Sequence, residues 1–181
     1  MLLFWQKGYS ATSMKDLERV MGLKPTSIYN AFGNKRDLFE EALKRYLHTV
    51  LAGFIDALTD AKTAQDALNR VLNEVIHLHF NKSYPGGCLV VLSLLESDQH
   101  DAKTRAILDS ALSLLRDSII RRLEQGQQAG EINPDMDCRV VASYVTAQIA
   151  GMIVMAKAGF PRKELEALVN SSSSVLLQHY G

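Results

Sequence analysis

Residues 15–39 read KDLERVMGLKPTSIYNAFGNKRDLF and contain two short helical patterns that meet at a glycine. Apolar residues recur at helical spacing over residues 17–21, and Gly22 can adopt the positive φ that ends such a helix. Pro25 suits the first turn of the next helix, because its missing N–H leaves no unpaired donor there and its φ is already helical. The stretch therefore predicts a helix, a tight turn and a second helix.

The second helix has an apolar side and an opposite side of small, polar or aromatic residues. Ile28 and Phe32 lie four residues apart and are expected to face the core. The outward positions are small, polar or aromatic and include no acid: Thr26, Ser27, Tyr29 and Asn30. A helix-turn-helix that presents such a face is typical of proteins that read the major groove of DNA.

A third helix is predicted to begin after Asn34, with Asp37 placed to complete a capping box. Lys35 and Arg36 lie in its first turn, where cations interact unfavourably with the helix dipole. A phosphate at this helix end would interact favourably with both cations and with the N-terminal amides. We therefore expect this end of the helix to contact the DNA backbone.

Residues 8–43, GYSATSMKDLERVMGLKPTSIYNAFGNKRDLFEEAL, resemble the helix-turn-helix signature of the tetracycline-repressor-like (TetR) family of transcriptional regulators. The matching positions are Phe4, Gly8, Tyr9, Thr12, Ser13, Leu17, Gly22, Ile28, Tyr29, Phe32, Lys35, Leu38 and Phe39. The resemblance implies an all-α fold, with a DNA-binding head at residues 1–47 and a larger effector-binding and dimerisation body at residues 48–181.

The resemblance also implies a homodimer that binds double-stranded operator DNA. Together with the outward face of the second helix, it gives these expected DNA-binding residues: Thr12, Ser13, Lys15, Lys24, Pro25, Thr26, Ser27, Tyr29, Asn30 and, for a phosphate, Lys35. An unknown small molecule is the expected effector, so the predicted function is a ligand-responsive regulator. A repressor that is released from its operator by a small molecule or by thiol modification fits best.

The chain departs from the family pattern at three places. Glu18 stands where the family usually has Ala, and Lys24 replaces a common Ser cap. Family members also have further residues that form the front of the first helix, which here is expected to span only Met1–Lys7 and to be too short for stability alone. Either the start codon is assigned too late, the sequence is trimmed, or part of the DNA-binding head is absent. The alternative function is therefore a dimeric ligand-binding or interaction protein whose DNA binding is lost with that truncated helix.

The charge distribution supports the DNA-binding interpretation. The net charge of the 181 residues is zero, but residues 1–50 hold eight Lys or Arg against five Asp or Glu, and residues 51–181 hold twelve against fifteen. Positive charge is thus concentrated in the segment that contains the motif. Because the surplus of +3 is modest, two heads in a dimer would strengthen the phosphate contacts.

Composition and motifs also limit the cellular location and the possible activities of the protein. The opening MLLFW has no cationic region before it and is no signal peptide. No apolar run approaches the ~18 residues that span a membrane, and two cysteines imply no disulfide framework, so a cytoplasmic protein without a membrane partner is predicted. No catalytic, phosphate-binding or cofactor motif is present, so neither enzymatic activity nor a cofactor is expected.

The rest of the chain reads as helices. Helical patterns are predicted at about residues 35–58, 63–80, 88–96, 101–128, 137–158 and 161–179. The last two are rich in Ala, Gly and Ser, which allow close approach of helices and suggest a dimer interface between them and a second subunit. For the Ser171–Ser174 run, a flexible tail is the less favoured alternative.

Cys88 is the clearest candidate for chemistry in the body. It follows two glycines at a predicted helix start, where exposed amides and the dipole lower the pKa of a thiol. Some TetR-like regulators resemble this chain in a Gly-Cys-Leu step, and some of these use the thiol for sensing. The favoured interpretation is nevertheless a small residue that packs the turn, because no second cysteine is near it in sequence.

The remaining candidates are aromatic, polar or thioether side chains suited to an irregular ligand pocket. With Cys88, the expected pocket or sensor residues are His77, Phe80, Tyr84, Tyr144, Gln148 and Met152. At helical spacing, such residues more often belong to the core. His77 and His79 face different sides of a helix, so a metal site is not predicted, although one with His100 and Cys88 is conceivable.

Overall fold

The computed structural model describes the backbone of residues 1–179 and the side chains of residues 1–172. Its α-helices are α1 (Leu2–Lys7), α2 (Met14–Met21), α3 (Pro25–Phe32), α4 (Lys35–Tyr46), α5 (Ala52–Thr59), α6 (Ala64–Phe80), α7 (Leu89–Leu95), α8 (Ala102–Gln128), α9 (Cys138–Lys157) and α10 (Arg162–His179). Residues 1–179 contain no strand. The predicted all-α fold is confirmed.

The helices fall into two compact units, which are described separately. Unit 1 contains Met1–Val50 and Cys88–Ala111, and unit 2 contains Leu51–Gly87 and the chain from Leu112 onward. Unit 1 thus holds α1 to α4, α7 and the start of α8. The N-terminal packing unit therefore includes a distant segment, residues 88–111, in addition to the expected head.

The core of unit 1 is built from aromatic residues of α1 and α4. The rings of Phe4 and Phe39 meet edge to face at 5.0 Å, and those of Trp5 and Tyr46 at 4.8 Å. All four side chains are at most 1% exposed. Because α1 has only six residues, its stability comes from this burial rather than from helix propensity.

In unit 2, α6 packs against α5, α9 and α10. Thr63 caps α6 by accepting a hydrogen bond from the Asp66 amide at 3.1 Å, and Asp137 caps α9 in the same way with the amides of Arg139 and Val140. The predicted starts of these two helices therefore agree with the structure. Leu72 of α6 is fully buried and lies in the core of the unit.

The helix predicted over residues 35–58 is not one regular helix. A π-helical turn, Leu47–Leu51, separates α4 from α5. The apolar residues Tyr46, Val50, Phe54 and Leu58 are all buried at a spacing of four, although an α-helix repeats every 3.6 residues. In a regular α-helix this spacing would rotate successive apolar residues around the helix axis and out of the core. The wider π-helical turn reduces this rotation and keeps them on one side.

Helix α9 is long and strongly apolar. Its 20 residues and mean hydropathy of 1.5 suit a membrane span by length and composition alone, contrary to the expectation from the sequence. In the structure α9 packs against α6 and α10, and residues such as Val141, Val145 and Ile149 are buried. A core helix of a globular unit has the same composition.

Candidate nucleic-acid interface

Helix α2 begins with a complete capping box. The Ser13 hydroxyl accepts a hydrogen bond from the Asp16 amide at 3.1 Å, and Asp16 Oδ2 accepts one from the Ser13 amide at 3.2 Å. Asp16 also pairs with Lys7 at 3.1 Å and Arg19 at 2.8 Å. Hydrogen bonds from Ser13 and Lys7 lower the pKa of the Asp16 carboxyl to about 2, so Asp16 is ionised at neutral pH.

The turn between α2 and α3 has the geometry expected from its glycine and proline. Gly22 has φ 65° and ψ 24°, the left-handed conformation that an L residue with a side chain adopts rarely. Lys24 is extended at the N-cap of α3 and Pro25 occupies the first turn. Ile28 is 1% exposed and anchors α3, whereas Phe32 is only half-buried.

We group the exposed residues at the start of α2 and along α3 that the sequence assigns to DNA, and call them the α3 face. Its exposed members are Ser13, Lys15, Lys24, Pro25, Thr26, Ser27, Tyr29 and Asn30. Tyr29 is 49% exposed, and the segment 24–30 contains no carboxylate. An exposed ring between hydroxyl, amide and ammonium groups can contact base edges and phosphates together.

Thr12 does not belong to this surface. Its side chain is fully buried, and its hydroxyl donates a hydrogen bond of 2.6 Å to the carbonyl of Gly8. The DNA contact expected for Thr12 is therefore not supported by the structure. The residue instead fixes the turn between α1 and α2, because a buried hydroxyl requires a partner inside the protein.

The start of α4 has the predicted cap but an unexpected arrangement of cations. Asn34 Oδ1 accepts from the amides of Arg36 and Asp37, and the Asp37 carboxylate accepts from the Asn34 amide at 3.0 Å, which completes the capping box. The ammonium of Lys35 lies 4.3 Å from the centre of the Tyr9 ring, half-buried rather than extended into solvent. Burial lowers the pKa of Lys35, and the nearby Glu96 carboxylate opposes this shift.

A segment of unit 1 far away in sequence carries residues that the sequence analysis missed. Glu96 accepts hydrogen bonds from the amides of Tyr9 and Ser10, and Asp101 pairs with Arg36 at 3.4 Å. The contacts with Tyr9 and Ser10 join positions 87 and 86 residues apart. Periodicity and capping patterns are local, so neither could reveal these contacts.

A second link within unit 1 involves a buried carboxylate. Glu40 is 2% exposed, and its Oε2 lies 2.5 Å from the Lys103 ammonium. The Thr104 hydroxyl donates a hydrogen bond of 3.2 Å to Oε1 of the same residue. The two partners offset the cost of burying the carboxylate and link α4 to the start of α8.

Cys88 occupies the N-cap of α7, as the sequence predicts, but its thiol is not activated. Burial raises its pKa, although the Tyr46 hydroxyl donates a hydrogen bond to the sulfur at 3.2 Å and opposes the shift. The backbone amides of Val90 and Val91 at the helix start lower the pKa, as predicted, but burial outweighs them and the net shift is upward. Helix α7 has only seven residues, and desolvation outweighs its dipole.

The other predicted pocket residues lie in unit 2 and differ in exposure. His77 is exposed, Phe80 is 38% exposed and Tyr144 is 51% exposed, whereas Met152 is buried in the core. Tyr84 is half-buried, and the amide of Gln148 donates a hydrogen bond to the Ser172 hydroxyl.

Unit 2 also has an open groove of about 380 Å³ that the sequence analysis did not predict. Its lining is largely polar and includes none of the predicted pocket residues: Gly53, Asp56, Ala57, Asp60, Arg70 and Glu74. Within the described part of the chain, no cluster of His, Cys, Asp or Glu could hold a metal ion. The location of the effector therefore stays a prediction.

Comparison with known proteins assigns both parts of the chain. Residues 1–42 match the family described as "Bacterial regulatory proteins, tetR family", and residues 64–170 match "Tetracyclin repressor-like, C-terminal domain". The HTH-type transcriptional repressor ComR of Escherichia coli is 28% identical over 173 residues, which cover 95% of this chain and 82% of ComR. The uncharacterised HTH-type regulator YezE of Bacillus subtilis is 27% identical, over 96% of this chain and 90% of YezE.

Solved structures agree with this assignment. The TetR family regulator CifR, as a cysteine mutant in complex with 26-bp double-stranded operator DNA, is 30% identical with a TM-score of 0.87. The match covers 96% of this chain and 91% of CifR. Since the two family matches together span most of the sequence, the chain belongs to the TetR family of DNA-binding, ligand-responsive transcriptional regulators.

Proposed function

We propose that this protein is a cytoplasmic repressor that binds its operator as a homodimer and dissociates when a small molecule binds the body. Residues 1–47 are the proposed DNA-binding domain, and residues 48–181 are the proposed effector-binding and dimerisation domain. Two relatives from Escherichia coli, ComR and BdcR, carry the name of repressor. Members of the family are homodimers that bind small-molecule effectors.

The observation that carries the proposal is the α3 face. Ile28 and the capping box of α2 fix the two helices, so the exposed side chains between them are held on a rigid support. We assign Thr26, Ser27 and Tyr29 to base edges and backbone, because hydroxyl groups and a ring suit both contacts. We assign Lys15 and Lys24, which are exposed cations, to phosphates.

Release by a small molecule requires two conformations with different spacing of the two heads. Two recognition helices must lie about one DNA turn, or a multiple of it, apart to occupy successive major grooves. An effector that binds more tightly to the conformation with another spacing lowers operator affinity by that difference. A non-covalent effector is favoured over thiol modification, because the raised pKa keeps Cys88 protonated at neutral pH.

Operator binding tests the α3 face directly. With DNA from upstream of the protein's own gene, Tyr29→Ala is expected to weaken binding by about fivefold or more, since a lost base contact costs about 1–3 kcal/mol. Tyr29→Phe keeps the ring, so it separates ring contacts from hydroxyl contacts. Fluorescence anisotropy gives the affinities, and Lys82→Ala, an exposed cation of unit 2, is the control.

The salt dependence tests the proposed phosphate contacts. Lys24→Ala is expected to lower the slope of log affinity against log salt by about 0.9 for each head, whereas the Lys82→Ala slope stays unchanged. Deletion of the gene should raise transcription from the promoter that the protein binds. Wild-type protein that binds none of its upstream DNA would contradict the proposed function, and reduced transcription after deletion would contradict repression.

A further inference from the structure

The carboxylate of Glu96 holds the turn that leads into the helix-turn-helix. Glu96 follows α7, and its Oε2 and Oε1 accept hydrogen bonds from the amides of Tyr9 at 2.7 Å and Ser10 at 3.2 Å. Both amides belong to the turn between α1 and α2. Charge-assisted hydrogen bonds of this kind are stronger than neutral ones, so Glu96 fixes the backbone of this turn.

Gly8 makes the approach of Glu96 possible. Its φ is +83°, and a Cβ at this position would lie 2.9 Å and 3.1 Å from the two carboxylate oxygens of Glu96. A side chain here would therefore displace the carboxylate as well as strain the backbone. Thr12 locks the same turn from the other end through its hydrogen bond to the Gly8 carbonyl, and the next residue, Ser13, caps α2.

The ring of Tyr9 extends this linkage to α4. It lies 4.9 Å from the Phe39 ring and 5.2 Å from the His100 ring, and the Lys35 ammonium lies above it at 4.3 Å. Residues 96–100 thus hold Tyr9 at its backbone and at its ring. Movement of this turn would displace both the start of α2 and the ammonium of Lys35.

We propose that Glu96 is a positioning residue for operator binding: its two hydrogen bonds set the α1–α2 turn, and through that turn the start of α2 and Lys35, without touching DNA. This inference rests on the proposed function. It also predicts that removing the Glu96 carboxylate changes operator affinity in the direction opposite to that expected from charge alone. Removing an acid from a DNA-binding unit strengthens attraction to phosphates, whereas losing the two hydrogen bonds weakens operator binding.

A matched set of variants tests this. Glu96→Ala removes both acceptors, Glu96→Gln keeps one, and Asp98→Asn removes the same charge from an exposed neighbour in the same turn. Operator affinity is expected to fall at least tenfold for Glu96→Ala and by less for Glu96→Gln, and to stay within twofold of wild type for Asp98→Asn. Wild-type affinity or tighter binding for Glu96→Ala would overturn the proposal.

Amide hydrogen exchange supplies a readout that needs no DNA. In Glu96→Ala, the amides of Tyr9 and Ser10 and the first turn of α2 are expected to exchange at least tenfold faster, while α6 exchanges as in wild type. Unchanged exchange at residues 9–16 would overturn the proposal even if operator binding falls. Failure of the wild-type protein to bind upstream DNA would overturn the proposed function, and the exchange data would still decide whether Glu96 holds the turn.

A double-mutant cycle tests the contact between Gly8 and Glu96. Gly8→Ala clashes with the Glu96 carboxylate, so its effect on operator affinity should be smaller in the Glu96→Ala background than in wild type. Fully additive losses would show that the two residues act independently and would contradict the assigned contact.

Discussion

The imidazole of His100 is buried in unit 1 beside the rings of Tyr9 and Phe39. It is 6% exposed, stacks on Phe39 at 5.2 Å, and its Nε2 has no hydrogen-bond partner among the described residues. Burial lowers its pKa below the ordinary value of 6.5. Glu96, Asp101 and a hydrogen bond with the Ser93 backbone oppose this shift, and Arg36 adds to it.

This depressed pKa predicts a loss of stability in acid. The neutral form of His100 is favoured in the folded state, so its contribution is present above pH 6.5 and decreases as the pH falls from 6.5 through the lower folded-state pKa. The free energy of unfolding, measured with urea over this window, should decrease less steeply for His100→Phe than for wild type. The control is His77→Phe, since His77 is exposed. If the free energy of unfolding of His100→Phe depends on pH as steeply as that of wild type, His100 is not the group responsible.

At the residue scale, sequence reasoning succeeded where the cause is local. Asn34 caps α4 as its position predicts, because a cap depends on the next three residues only. For Cys88 the favoured packing role fits its burial, but the direction of the pKa shift could not be predicted, because it depends on burial beside Tyr46, 42 positions away. Thr12 was misassigned for the same reason, since burial is a property of the folded unit.

At the scale of elements, nearly all helices could be predicted from the sequence, but not the π-helical turn after α4. Apolar spacing marked α6, α8 and α9 correctly because each repeats over several turns. Val20 shows the limit of the same argument: it fits the apolar pattern of α2 but is 62% exposed. An eight-residue helix buries only a narrow stripe, and in α2 the stripe centres on Leu17.

Close approach of helices in unit 2 gives a prediction for Gly126 of α8. A Cβ at Gly126 would lie 2.9 Å from Ala64 Cβ, which is too close without movement of α6. Gly126→Ala should therefore destabilise the protein by about 1 kcal/mol, since overpacking costs more than the gain in helix propensity. Thermal or urea unfolding measures the change.

Gly53 of α5 is the control for this substitution. A Cβ there would meet only Glu74 Oε2 at 3.8 Å, an ordinary contact. Gly53→Ala should thus stabilise the protein by about 0.5–1 kcal/mol through helix propensity alone. Equal effects of the two substitutions would show that the approach of α8 to α6 is not tight.

At the scale of the whole molecule, α9 presents a candidate surface for a second subunit. Helix α9 exposes a continuous stripe of apolar and small residues: Val140, Ser143, Tyr144, Ala147, Gly151 and Val154. Their spacing of three and four places them on one side of the helix, and two of them, Tyr144 and Val154, are more than half exposed. Such a face is typical of a surface that becomes buried on association.

Ala147 lies in the middle of this stripe, so its substitution tests the proposed dimer interface. Ala147→Glu would bury two like charges between subunits and should convert the dimer into monomers with unchanged helix content, measured by sedimentation and circular dichroism. Operator affinity should fall with it, because one head makes half of the phosphate contacts. Ala106→Glu, an exposed substitution on α8, should leave the dimer intact. A stable Ala147→Glu dimer would place the interface elsewhere.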